Sequence, residues 1–344
     1  MKAMPLLNVL NYRKICVLIA FGTILCVQSC KSKQYEVIGS FEALDPSFHE
    51  LVSPDARAEI IAEGFEWSEG PLWVASENML LFSDIPNNTV FKWTEKDGHK
   101  IYLKPAGYTG STPRVGEMGS NGLILNKEGK LILCQHGDRR IALMDAPLHA
   151  PEPKFITIAD NYQGKAFDSP NDVVMHPSGD IYFTDPPYGL EKFIQDTTKA
   201  APYQGVYRVR TTGEVELLID SISRPNGIGF TPDGKTLIVA NSETEKAVWY
   251  AYDLGEGDSL TNARIFFDAS SYAKTAPGAP DGFKIDAKGN MYSTGPGGVW
   301  VFNPEGKPLG RLKLPVPSSN CALADDDKTL YITADMYILR VKLR

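Results

Sequence analysis

The chain has 344 residues, 43% hydrophobic and 22% charged, which is enough apolar material for a large core and is not the composition of a disordered chain. Its 35 basic and 42 acidic residues give a net charge of −7, or −10 once Lys2, Arg13 and Lys14 near the N-terminus are set aside. That balance argues against a nucleic-acid partner, which needs a basic face, and five cysteines without a CxxC pair exclude the thiol zinc sites.

In chain order, the first element is a leader. Lys2, Arg13 and Lys14 precede an apolar run over 15–27 that is too short to span a membrane comfortably, and Val27-Gln28-Ser29-Cys30 follows it. This pattern predicts an export signal over 1–29. Its junction resembles a bacterial lipobox, with Cys30 as the lipid-bearing residue, and an ordinary signal peptide is the alternative. Residues 30–56 are then expected to be a polar tether, and 57–344 the soluble domain. The expected location is the bacterial cell envelope, lipid-anchored and facing the periplasm or on the outer membrane, with the membrane contacted through the lipid alone.

From residue 57 onward a strand-turn-strand pattern recurs six times. Its polar head residues are Glu69 (EGPLWV), Asn121 (NGLILN), Asn171 (NDVVMH), Asn226 (NGIGFT), Asp281 (DGFKID) and Asn320 (NCALAD). The heads lie roughly 40 to 55 residues apart, a period that marks a propeller or a solenoid. A tight turn rich in Gly, Asn, Asp or Pro separates the two apolar runs of each repeat, so the runs are predicted to be antiparallel hairpins. Further runs, such as VFKWTE with KIYLKP or GVYRVR with EVELLI, fill five four-stranded units. The sixth unit has three strands of its own. Ala58-Glu59-Ile60-Ile61-Ala62 is available as its fourth, which would close the ring and remove an exposed edge. The predicted fold is all-β: a six-bladed β-propeller with four-stranded blades, the last closed by an N-terminal strand.

Hairpin geometry places the heads and the ends of the returning strands (Asp84, His136, Asp185, Asn241, Asp335) at one mouth of the central channel. Any one of these polar residues could simply cap a strand or fix a turn. A ring of six inward oxygens is harder to explain that way, because an apolar channel has no need of it. Cys134 and Cys321 lie inside apolar runs of different repeats and are read as buried core residues, although an exported location would permit a bridge.

The strings AEGFEWSEGPLW, SPNDVVMHPSGDIYFTDPPYG, RPNGIGFTPDGKTLIVANS and APDGFKIDAKGNMYSTGPGGVWVFNPEG, in this order, resemble the senescence marker protein, gluconolactonase and luciferin-regenerating enzyme family of six-bladed propellers. The resemblance covers roughly residues 57 to 344. It implies that Glu69, Asn226 and Asp281 bind one divalent metal, with Asn171 beside both metal and substrate. The activity it implies is lactone hydrolysis, with a small-molecule lactone as the partner and no nucleotide.

The residue chemistry agrees. Two carboxylates and two amides offer only hard oxygen ligands, which suit Ca²⁺, with Mg²⁺, Mn²⁺ or Zn²⁺ as possible replacements. Without a cation, Glu69 and Asp281 in one channel would repel and one would tend to protonate. The family gives the metal-binding Asp, here Asp281, the role of proton donor or acceptor toward water. Asn121, Asn320, Asn171 and His136 are the expected substrate contacts. His136 could also serve as an auxiliary base, or it could merely fix its turn with Asp138 and Arg139.

One position departs from the family. An Arg contacts substrate two residues before the ND-type Asn in the vertebrate branch, and Ser169 stands there here. Insertions over 108–119 and 186–205 are expected to border the mouth, and Arg114 in the first could restore a positive contact. Gly229 to Thr236 formally matches a phosphate-binding loop, but a strand rather than a helix follows it. A calcium-dependent phosphotriesterase-like hydrolase and a non-catalytic envelope sugar-binding propeller remain as alternative functions.

Overall fold

In residues 34–344, which the computed structural model describes, the strands assort into six antiparallel blades. The leader, its junction and Cys30 lie outside the described residues. Blade 1 is built from Ser68–Val74, Met79–Asp84, Thr89–Thr94 and Gly98–Leu103, and blade 2 from Ser120–Leu125, Leu131–Gln135, Arg140–Met144 and Phe155–Ala159. Blade 3 uses Val173–Met175, Ile181–Asp185, Gly205–Val209 and Val215–Ile219, and blade 4 uses Pro225–Phe230, Thr236–Asn241, Val248–Leu254 and Leu260–Asp268. The predicted hairpins form because the turn residues can adopt positive φ. Asn78 (47°), Gly129 (74°), Gly179 (101°), Gly234 (70°) and Gly289 (89°) do so, as do Asp325, Asp326 and Asp327 in the last blade. Gly229 to Thr236 is one of these hairpins, with Thr231 N–H donating to the Thr236 carbonyl at 3.0 Å.

Each second strand is buried on both faces, which is why those segments read as unbroken apolar runs. In Met79–Asp84, Leu81 packs toward blade 2 while Leu80 and Phe82 pack toward blade 6. The same alternation around the ring produces six hydrophobic clusters, one between each pair of neighbouring blades. Cys134 and Cys321 are free thiols buried in two of them.

Blade 6 contains Asn320–Ala324, Thr329–Ala334 and Tyr337–Lys342. Ala58–Glu63 completes it, pairing Ala58 with Val341 and Glu59 with Arg340. Blade 5 holds Phe283–Ile285, Met291–Gly295, Gly298–Phe302 and Pro308–Lys313, plus an unexpected fifth strand, Ser40–Ala43, which pairs with Pro308–Lys313. The stretch read as a tether is therefore packed against the propeller over much of its length. After Ser40–Ala43 comes the short helix Phe48–Leu51, and Phe48 and Val52 sink into the cluster between blades 5 and 6.

A clamp recurs at the mouth. The Asp84 carboxylate accepts from the Glu66 and Trp67 N–H groups, Asp185 from Asp168 and Ser169, and the Asn241 amide oxygen from Arg224. The side chain ending a returning strand thus fixes the loop that leads into the same blade's head, and these residues frame the mouth without forming its wall.

Candidate active site

The innermost strands approach one another so closely that the residue after the head must often be glycine. A Cβ on Gly70 would lie 2.0 Å from the Asn121 carbonyl oxygen, and one on Gly227 would lie 2.2 Å from that of Asp281. Hydrogen bonds between blades tie the ring at the same level: Gly122 N–H to Asn171 O at 2.8 Å, Thr184 Oγ1 to Asn226 O at 2.7 Å, and Ser319 Oγ to Ser68 O at 2.7 Å.

Five of the six heads face a common cavity of about 370 Å³ on this inner ring: Glu69, Asn121, Asn171, Asn226 and Asp281. Each of these heads lies at an irregularity of the ladder or before its first pair. Glu69, Asn121 and Asn226 sit at register shifts, and Asn171 and Asp281 precede the first ladder pair of their blades. Such irregularities re-aim side chains. Asn320 instead pairs in register with Thr333 and does not line the cavity. Its amide oxygen accepts from Cys321 N–H at 2.9 Å and Lys284 Nζ at 3.4 Å, and its side chain lies against Glu69 and Asp172, lowering the pKa of each.

The site's electrostatics are those of carboxyl groups held away from water. Burial pushes Glu69 up to about 8, although the Gly70 N–H, 2.7 Å from its Oε2, works the other way. Asp281 keeps some surface open to the cavity, yet burial, and then the nearby Glu69, Asp172 and Glu117, hold it well above the usual carboxylate range. Asn226 Oδ1, Asp281 Oδ1 and Asn121 Oδ1 are buried without a hydrogen-bond partner. Unpartnered buried acceptors in a wall that also carries carboxylates suit a hard cation, so the oxygen set Glu69, Asn171, Asn226 and Asp281 fits a divalent metal. Among the described residues no group of three or more His, Cys, Asp and Glu is arranged for a metal, and the set contains only two residues of those kinds.

His136 is fully buried and does not line the cavity; burial lowers it to about 3, so it is neutral. Ser169 donates to the Pro186 carbonyl at 2.6 Å and accepts from Gly189 N–H at 2.9 Å, so it anchors the second insertion. Arg114 does not supply the positive contact considered for it. Its guanidinium donates to the Gly137 carbonyl at 2.6 Å and, in the second insertion, to the Gly189 carbonyl at 2.7 Å, and it lines a separate hollow.

The wall also contains Trp67, Glu117 and Tyr188, and the buried Asp172 is charge-compensated in part by Lys284; none of these five stands out in the sequence. The two insertions were expected at the mouth, and they do deliver Glu117 and Tyr188. Nothing local distinguished these two from their neighbours.

A family model described as SMP-30/Gluconolactonase/LRE-like region matches residues 67–335. The chain is 36% identical over 313 residues to a gluconolactonase of Zymomonas mobilis, covering 89% of this chain and 87% of the relative. A gluconolactonase structure from Xanthomonas campestris superposes with a TM-score of 0.74 at 27% identity, over 92% of this chain and all of the other. A structure of regucalcin from Agrobacterium tumefaciens, described as a calcium-binding protein, shares the fold, with a TM-score of 0.63 at 18% identity, over 83% of this chain and 93% of the other.

Proposed function

The chain belongs to the SMP-30/gluconolactonase/LRE-like family, and on that premise we propose that it is a metal-dependent hydrolase that opens a sugar lactone to its hydroxy acid. One observation carries the reading: unpartnered Asn226 Oδ1 and Asp281 Oδ1 stand with Glu69 and Asn171 in the wall of one axial cavity. These four residues would hold the cation, and Ca²⁺ is the ion their chemistry favours. Bound there, the cation would supply Lewis acidity toward the lactone carbonyl and a source of activated water.

The chain's own residues do the rest. The loop clamps at Asp84, Asp185 and Asn241 hold the mouth in shape, so the oxygen donors are preorganised before substrate arrives. Asp281 lines the cavity, has a carboxyl oxygen without a hydrogen-bond partner, and accepts the proton of the attacking water. Asn121 leaves its amide oxygen for a substrate hydroxyl or a water.

The test is a pH-indicator screen of lactones with metal-loaded protein, with metal-free protein, and with Asp281→Asn, alongside elemental analysis. The expected result is turnover in the loaded wild type alone, with the variant folded and its rate lower by about 10² to 10⁴. Hydrolysis that survives complete metal removal, or an Asp281→Asn protein of full activity, would overturn the reading. Sugar binding without hydrolysis would make the protein a binding module.

A further inference from the structure

Glu117 belongs neither to the ring of heads nor to the proposed ligand set. It lies in the 108–119 insertion and lines the same cavity as Glu69, Asn171 and Asp281, with 32% of its side-chain surface accessible. Behind it stands His136, whose Nδ1 is 3.5 Å from Glu117 Oε2. The histidine is held from behind: its backbone N–H donates to the Gly119 carbonyl at 3.1 Å, and Gly189 of the second insertion packs so tightly that a Cβ there would lie 2.6 Å from the His136 Cβ.

This surrounding has a chemical consequence. A neutral imidazole at that distance packs against the carboxyl and leaves a negative charge on it uncompensated. The cation of the same loop, Arg114, is spent on the Gly137 and Gly189 carbonyls. Among the described residues Glu117 has no ion pair with a Lys or Arg, and its neighbour His136 is neutral. Burial pushes Glu117 up to about 7, which favours its protonated form relative to an exposed carboxyl. Asp281, in contrast, would be an anion whenever a cation sits beside it. Two carboxyls in one cavity with different surroundings can divide the acid and base work.

We propose that Glu117 is the general acid of the reaction, giving its proton to the ring oxygen of the lactone as the acyl carbon–oxygen bond breaks. The proposal rests on the lactonase reading and adds the fate of the leaving group. Water attacks the carbonyl carbon and forms the new carbon–oxygen bond, and its proton passes to Asp281. The old bond then breaks, its electron pair stays on the ring oxygen, and the Glu117 proton converts that oxygen to the hydroxyl of the product. The cycle ends when Asp281 releases a proton and Glu117 regains one, so the net reaction is lactone plus water to hydroxy acid.

The experiment compares wild type with Glu117→Gln and Glu117→Asp on two substrates: an aliphatic sugar lactone, whose alkoxide must be protonated, and an aryl lactone, whose phenoxide leaves without help. For Glu117→Gln, kcat on the sugar lactone should fall by about 10² to 10⁴, with KM near wild type, metal content unchanged and little loss on the aryl lactone. Glu117→Asp should restore part of the rate. A Glu117→Gln protein with wild-type kcat on the sugar lactone, an equal loss on both substrates, a change confined to KM, or a loss of bound metal would each overturn the assignment. A wild type inactive on both substrates would remove the lactonase reading, and this proposal with it.

Discussion

At Gly227 the chain meets its neighbour at a distance no side chain tolerates. Its φ is not in the left-handed region, so space alone demands glycine: a Cβ would come within 2.2 Å of the Asp281 carbonyl oxygen and 2.9 Å of the Phe283 ring. The first of these is backbone and cannot rotate away. Gly227→Ala should therefore push the Asp281 segment aside, weakening metal binding and turnover far more than it lowers the melting temperature. Metal titration by calorimetry with thermal unfolding checks this, and an alanine protein with wild-type metal affinity would count against the ring geometry. The pairing of head and glycine was plain in the sequence, but its reason was not, because the atoms that collide belong to strands in different blades. Asp172 and Cys321 stand after the two heads that are not followed by glycine. Asp172 is another buried carboxyl, raised by burial and partly offset by Lys284, and a contact of that kind leaves no local signature. Asn320 shows the limit from the other side: it has the sequence of a head, but its regular pairing with Thr333 keeps it out of the cavity.

At the scale of elements, what could be read was what is local. Alternating apolar runs and turns with positive φ specify hairpins within a short window, so the blade strands and the closure through Ala58–Glu63 follow from sequence. The segment before that strand carries no such period. Ser40–Ala43 and Phe48–Leu51 are short, and they are held by partners more than two hundred residues away, such as Leu309 and Arg311. Phe48 is the anchor: it is 1% exposed, and its ring rests where a Cβ on Gly310 would come within 2.4 Å. Phe48→Ala should cost about 3 to 5 kcal/mol of stability by opening a cavity between blades 5 and 6. The catalytic constants should not change, because Phe48 lies outside the cavity wall. Denaturant unfolding together with steady-state kinetics tests both halves, and an undestabilised variant would mean that the N-terminal stretch merely rests on the propeller.

For the whole molecule, the six interblade clusters separate folding from chemistry. The core lies between the sheets while the carboxyls line the axis, so the metal-free protein should remain a folded propeller carrying an electrostatic penalty. The sign of that penalty follows from the raised carboxyls. In the folded metal-free protein Glu69 sits at about 8 and Asp281 well above its ordinary value, whereas both ionise in the unfolded chain near pH 4. Between those limits the unfolded chain holds fewer protons, so the stability present below about pH 4 is lost as pH rises toward 8. A divalent cation held by these carboxylates would reverse the trend, because it would bind their ionised form and have to displace their protons. Its affinity should rise over the same range, and binding at pH 7 should release protons, seen calorimetrically as a dependence on the ionisation enthalpy of the buffer. At a hundredfold excess over its dissociation constant the ion adds about 2.7 kcal/mol. The gap in melting temperature between loaded and metal-free protein should therefore widen from pH 5 to pH 8. A gap that stays constant or narrows would show that the buried carboxyls of the ring do not hold the cation.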